Sequence, residues 1–282
     1  MKGLRWYIVI GCTAVSLVAA VPAGAGKCPP DSVKVGNVCI DTYEASVWQI
    51  PPSNTSLVKL VQAGKATLAK LTAGGATLLS SASLAGCSSP GFPANFPNDG
   101  NWTPIPGATP PSPGVYAVSL PGVHPTACIT WFQANQACLL SGKRLLTNRE
   151  WQGAAAGTPD PGTDNLTTDC AVSSPDVVNT GSRSSCKSAW GVFDMVGNVW
   201  EWVADWADKN SAACTDWTSQ TGIAGGDFSC FGGNGSGAVN QIPGALIRGG
   251  NFGLGSKAGV FAVFASFDPS FSVVGFGFRC AR

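Results

Sequence analysis

Glycine and proline interrupt this chain so often that long regular elements are excluded. The 282 residues carry 36 Gly and 20 Pro, about a fifth of the sequence, where roughly 12% is usual. A helical bundle or coiled coil needs long runs of Ala, Glu, Lys and Leu. Tight turns and short elements are expected instead. Hydrophobic residues make up 44% and include ten Trp, enough to bury a core rather than leave the chain disordered. The length suits one large or two small domains. Seventeen basic against sixteen acidic side chains give no field for nucleic acid. A single His excludes sites that need two, such as a two-His iron triad.

Residues 1–25 read as a secretory signal, to be removed from the folded protein. Lys2 and Arg5 precede an apolar run from Tyr7 to Ala20, and Ala23-Gly24-Ala25 offers small residues for cleavage. The run is too short to span a bilayer, so no membrane span is expected after cleavage; an uncleaved anchor is the alternative reading. Cleavage leaves 15 basic against 16 acidic side chains, a net of −1. It also leaves ten cysteines: Cys28, Cys39, Cys87, Cys128, Cys138, Cys170, Cys186, Cys214, Cys230 and Cys280. An even number in an oxidising compartment indicates disulfides, and the lack of any CxxC weakens zinc or redox readings. The close pairs 28–39, 170–186 and 214–230 are candidate loop staples, with the connectivity open.

Lys34 to Trp48 alternates around Gly36-Asn37 and predicts a hairpin. Leu57 to Leu79 is loosely helical but broken by Gly64, Gly74 and Gly75, which predicts one or two short helices. Ser88 to Pro113 is a long surface loop whose Phe92, Phe96 and Trp102 should pack down. Two helices carry clear start signals. Thr130 with Gln133 is a capping box opening Trp131–Leu140, closed by Gly142. Thr147 with Glu150 is another, opening a helix that runs to Ala156 before Gly157. Short apolar segments follow Leu246.

Three blocks come in order: Gly142-Lys143-Arg144-Leu145 with Glu150-Trp151; GVFDMVGNVWEW over Gly191–Trp202; and Arg248-Gly249-Gly250 with Gly277-Phe278-Arg279-Cys280. Together they resemble the formylglycine-generating-enzyme (sulfatase-modifying factor) family. The resemblance covers roughly Lys34–Arg282, with an atypical insert near 50–120. It implies one domain over 26–282: an α+β, C-type-lectin-like fold with two short helices, small twisted antiparallel sheets and much irregular chain. Trp200 and Trp202 are expected as core anchors, either on opposite faces of an extended segment or bracketing a turn. The family pairs its first-helix cysteine with its terminal one, which carries over as Cys138–Cys280; Cys87 and Cys128 then remain.

Family members that oxidise peptidyl cysteine use two thiols just after the RGG block to bind copper and the substrate. Here that stretch, Arg248 to Phe261, has no Cys, nor does any position between Cys230 and Cys280. A thiolate is both the nucleophile and the soft metal ligand, and no other side chain replaces it. His124 is expected as an ordinary loop residue. The chain is therefore read as lacking this catalysis, with the oxidase and a structural envelope protein as alternatives.

Arg248 to Ala281 also resembles the variable region of proteins diversified by retroelements. The shared frame is carried by Arg248, Gly249, Gly250, Gly255, Ala258–Ala262, Pro269, Ser270 and Gly277–Ala281. The resemblance implies that a template copied with errors at adenines varies the residues between. Those are Phe252, Gly253, Leu254, Phe264, Ser266, Phe267, Asp268, Phe271, Val273, Val274 and Gly275, all within the set such copying can produce. Lys257 does not fit it.

The spacing of Phe264, Phe267, Phe271, Val273 and Val274 follows neither a strand nor a helix period. Several of these side chains are accordingly expected on the surface as an apolar contact patch, while Val260, Phe261, Phe276 and Phe278 are assigned to the core. The expected partner is an unknown protein or cell-surface ligand, with no nucleic acid and no required cofactor. The family resemblance further implies a structural Ca²⁺ on Asp194, the carbonyls of Gly197 and Val199, and Glu201. Equally open is that Asp194 caps a turn and Glu201 pairs with an arginine, Arg248 being a candidate.

Overall fold

A computed structural model describes residues 27–79, 87, 114–207, 215–216, 228–230 and 243–282. The signal segment, the loop 88–113 and Cys214 fall outside the described residues.

The predicted hairpin forms as β1 (Ser32–Val35) and β2 (Val38–Asp41), with Val33 opposite Ile40. Gly36 supplies the positive φ of its turn, +58°. It is shorter than expected: the chain bends after Asp41, and β3 (Ala45–Gln49) leaves for another sheet. There β3 lies between β4 (Thr77–Leu79) and β5 (Val115–Ser119), antiparallel to both. The interrupted segment forms two helices, α1 (Thr55–Gln62) and α2 (Leu68–Ala73), capped by Asn54 and Thr67. They bury Leu57, Val61 and Leu71 against Trp48, Tyr116 and Val118.

Both capping boxes are present. Thr130 and Gln133 open α3 (Trp131–Leu140), and Thr147 and Glu150 open α4 (Asn148–Ala155). Four α-helices thus occur among the described residues: the two with capping boxes, and the two short ones in the insert that the segment 57–79 predicts and that the family resemblance does not include. Between them β6 (Arg144–Leu145) adds to the hairpin sheet. The C-terminal strand β13 (Cys280–Ala281) enters that sheet between β2 and β6, pairing Ala281 with Ile40 and Cys280 with Leu145.

The third sheet carries the C-terminal region. β7 (Trp200–Ala207) is antiparallel to β10 (Gly244–Arg248) and parallel to β12 (Phe276–Phe278). Beyond β10 lie β11 (Val263–Phe264), β9 (Phe228–Cys230) and β8 (Thr215–Asp216), with β11 and β9 parallel. The architecture is the expected mixed α+β one, with parallel pairs beside the antiparallel ones. Trp200 and Trp202 join the same core cluster, with Phe276, Phe278 and Ile129. They therefore do not face opposite ways: residues two apart on a strand share a face.

Among the described residues four disulfides join Cys28–Cys39, Cys87–Cys128, Cys138–Cys280 and Cys170–Cys186. The proposed 214–230 pair involves residues whose side chains lie outside the description. Among the described residues, no helix is long and apolar enough to cross a membrane.

Candidate ligand-binding site

The C-terminal frame begins where β10 runs into Gly249 and Gly250, with φ of +90° and +87°. A Cβ on Gly250 would lie 2.4 Å from Ala258 Cβ, and one on Gly249 would lie 3.0 Å from the Met195 carbonyl. Only glycine permits both the conformation and the close approach. The Gly249 carbonyl accepts from the N–H groups of Gly197 and Gly259, and the Gly249 N–H donates to Ala262 O, so residues 250–261 form a closed loop. Arg248 lies over the Trp151 ring at 4.5 Å and donates to Gln152 and to the Val260 carbonyl.

The tail from Ala265 to Gly275 is irregular yet tied down repeatedly. Phe267 O accepts from Ala245 N, Pro269 O from Trp131 N, Val273 O from Cys128 N, and Gly275 O from Trp200 N. Asp268 Oδ1 accepts from the Ser270 N–H and hydroxyl, closing the expected turn. Ser270 is exposed, but Pro269 is buried.

On this base stand three stacked rings. Phe264 and Phe267 are 5.1 Å apart at 24°, and Phe267 and Phe271 are 4.3 Å apart at 17°. Phe276 meets Phe267 and Phe271 edge-on from below at 5.1 and 5.7 Å. All three stacked rings are half-buried, with one side packed on the main core beside Leu254 and Val273. Ser266, Asp268 and Val274 are also half-buried, and Gly253 is exposed.

Two expected contact residues are misplaced. Phe252 is 8% exposed and packs with Ala127, Val177 and Val199. Its backbone is pinned between Asn198 O and Ser174 N, which turns the ring inward. Gly275 is buried at φ +88°, and a Cβ there would lie 2.8 Å from Asn251 Nδ2. The opposite correction applies to Phe261. The sequence predicts a core position for it, but it sits at the corner of a Gly259–Ala262 turn and is 42% exposed. Val260 is half-buried, while Phe276 and Phe278 are core as expected.

Behind the frame lies a buried acidic group. Arg279 donates through Nε to Glu201 Oε2 at 2.7 Å and through Nη2 to Oε1 at 2.5 Å, and Trp151 Nε1 donates to Oε2 at 2.8 Å. The partner of Glu201 is thus Arg279, not Arg248. Asp194 Oδ2 accepts from the Gly181 N–H at 2.7 Å. Burial pushes the Asp194 carboxyl up to about 7, against the pull of that N–H and of Arg279. Burial, with Asp194 and Glu201 nearby, holds Glu44 well above the usual carboxylate range, although Asn198 donates to it.

This arrangement does not fit the calcium set. Both Glu201 oxygens are already held by protein donors, whereas a Ca²⁺ ligand must present them to the ion. Among the described residues no group of three or more acidic, His or Cys side chains is arranged to hold a metal. Nor do the described side chains assemble a thiol pair: the eight cysteines they include are all in disulfides. His124 Nδ1 lies 3.0 Å from Pro125 O.

The sequence reading missed a second aromatic group. Trp131, Phe132 and Trp206 meet edge-to-face, with centroids 5.0–5.9 Å apart. The available signal was the Trp-Phe pair opening α3; in the structure the helix buries Gln133, Ala134, Gln136, Ala137 and Cys138, while positions 131 and 132 stay half-buried at its edge.

The formylglycine-generating enzyme of Thermomonospora curvata is 31% identical over 162 residues, covering 46% of this chain and 53% of that enzyme. The matched stretch is thus about half the length of that relative. Among solved structures, the Major Tropism Determinant M1 Variant is 20% identical, with 91% of this chain and 53% of that chain covered and a TM-score of 0.46. Treponema denticola variable protein 1 is 19% identical, with 62% and 73% covered and a TM-score of 0.33. The signature of the sulfatase-modifying factor enzyme 1-like domain matches residues 19–282. The chain therefore belongs to the sulfatase-modifying factor enzyme 1-like domain family.

Proposed function

We propose that this is an exported, non-catalytic binding protein whose C-terminal surface is a diversified receptor site. The observation that carries the reading is the row Phe264, Phe267 and Phe271, stacked and half-exposed on a frame of buried glycines and backbone hydrogen bonds. Large rings with few rotors supply contact area at low ordering cost, and a rigid base keeps that cost low on binding. The contact set then comprises Gly253, Leu254, Phe264, Ser266, Phe267, Asp268, Phe271, Val273 and Val274. Phe252 and Gly275 belong to the frame. No bond chemistry is assigned, since the stretch after Arg248-Gly249-Gly250 carries no sulfur. Disulfides support export, because such bonds persist in oxidising compartments.

The test is genetic and chemical. Deep sequencing of the 248–281 coding stretch in the native population should show substitutions confined to the contact positions. A near-copy of that stretch, differing at template adenines, should lie beside a reverse-transcriptase gene. An invariant stretch with no such copy would remove the diversified site. Copper-loaded protein that oxidises a cysteine-containing peptide with turnover would replace the binding reading by the oxidase one.

A further inference from the structure

The tail is not the whole of the apolar surface on this side of the molecule. Trp206, near the end of β7, is 41% exposed, and Trp131 and Phe132 beside it are half-buried. The three rings brace one another edge-to-face, with Trp131 also packed against the main core. The indole N–H of Trp131 is already donated to Val203 O at 2.7 Å, which fixes its ring.

This group is joined to the tail by two backbone bonds. The Trp131 N–H donates to the carbonyl of Pro269, in the turn between Phe267 and Phe271. Ala245 pairs with Trp206 across the sheet, and its N–H donates to Phe267 O. One α3 turn and one strand therefore position both aromatic groups. The acids beside them among the described residues are engaged locally: Asp205 accepts from the Asn148 N–H, and Asp268 is held by its own turn. A surface of this kind favours apolar side chains over charged ligands.

We propose that Trp131, Phe132 and Trp206 form a constant aromatic half of the ligand-contact surface, next to the variable half, and that the partner is a protein presenting apolar side chains. The inference rests on the binding function proposed above and adds a limit to it. Residues 131, 132 and 206 lie outside the 248–281 stretch, so copying would leave them unchanged. Variation in the tail then adjusts recognition within one class of partner that shares an apolar anchor.

The experiment selects a phage-displayed random peptide library on the full chain and measures the enriched peptides against two sets of variants. Phe132→Ser and Trp206→Ser probe the constant half; Phe271→Ser and Val273→Ser probe the tail. Melting temperatures control for folding, and Trp206→Phe should restore most of the affinity. The expected result is enrichment of peptides with aromatic or aliphatic anchors, each weakened roughly tenfold or more by either set, as hot-spot truncation does. If only the tail set matters, the constant half is overturned and the receptor function survives. Loss confined to the 132 and 206 variants would instead overturn the tail as the site. Failure to enrich any peptide would count against both.

Discussion

Asp194 holds a carboxyl group in the buried layer beneath the frame, next to Glu44 and the Arg279–Glu201 pair. Three acids lie around the Arg279 guanidinium, with Arg183 acting on Asp194 from further off, so full ionisation would leave excess negative charge in a poorly solvated place. Its pKa, raised to about 7 in the folded protein, compares with roughly 3.9 in an unfolded chain. The folded state thus binds the proton more tightly. Its contribution to stability is complete below the unfolded value and is lost as pH rises through the folded one. Glu44 acts in the same direction. Asp31 and Glu150, held low by Lys143 and Arg144, oppose it by losing stability in acid. Asp194→Asn keeps an acceptor for Gly181 and removes the titration. Between about pH 4 and 7 the variant should escape a loss on the order of a few kcal/mol that the native chain suffers. Urea denaturation at several pH values checks this; parallel stability curves for the two proteins would refute it.

At the scale of elements, α4 shows how local chemistry becomes a boundary. Thr147 Oγ1 accepts from the Glu150 N–H while Glu150 Oε2 accepts from the Thr147 N–H, and Arg144 grips the same carboxylate at 2.6 and 2.7 Å. Thr147→Ala removes one side of this box and should cost about 1 kcal/mol, read from the denaturation midpoint at unchanged slope. A cost near zero would mean that Arg144 alone orients Glu150. These caps were legible in the sequence because every partner lies within three residues. The β1–β2 turn was legible for the same reason, and the RGG and GFRC blocks placed β10 and the terminal strands. The side-chain assignments in the tail were less secure. Phe252 is buried by Ala127, Val177 and Val199, residues remote in the chain that no local period reports. Phe261 is exposed because a turn at Gly259–Ala262 leaves it at the corner. The Trp131–Phe132–Trp206 group likewise brings together two distant segments, which neither segment announces alone.

The whole molecule is closed by its own C-terminus. β13 lies inside the hairpin sheet, Cys280 N donates to Asp41 Oδ2, and Lys143 is buried between Asp31 and Asp41 at 2.7 and 2.6 Å. Cys138–Cys280 bonds this strand to α3 across 142 residues of sequence, whereas Cys170–Cys186 spans 16. If disulfides act mainly by restricting the unfolded chain, the longer loop should matter more: about 5 kcal/mol against about 3. The paired substitutions Cys138→Ala with Cys280→Ala, and Cys170→Ala with Cys186→Ala, make the comparison under non-reducing conditions. The first pair should lose more stability in urea. It should also weaken binding of selected peptides, because α3 carries Trp131 and Phe132, and the Trp131 N–H bonds the tail at Pro269. The second pair should leave peptide affinity within about twofold if its effect stays local. Equal losses of stability from the two pairs would rule out loop length as the governing factor. Unchanged peptide affinity in the first would show that the contact surface keeps its shape without the bond between α3 and the terminal strand.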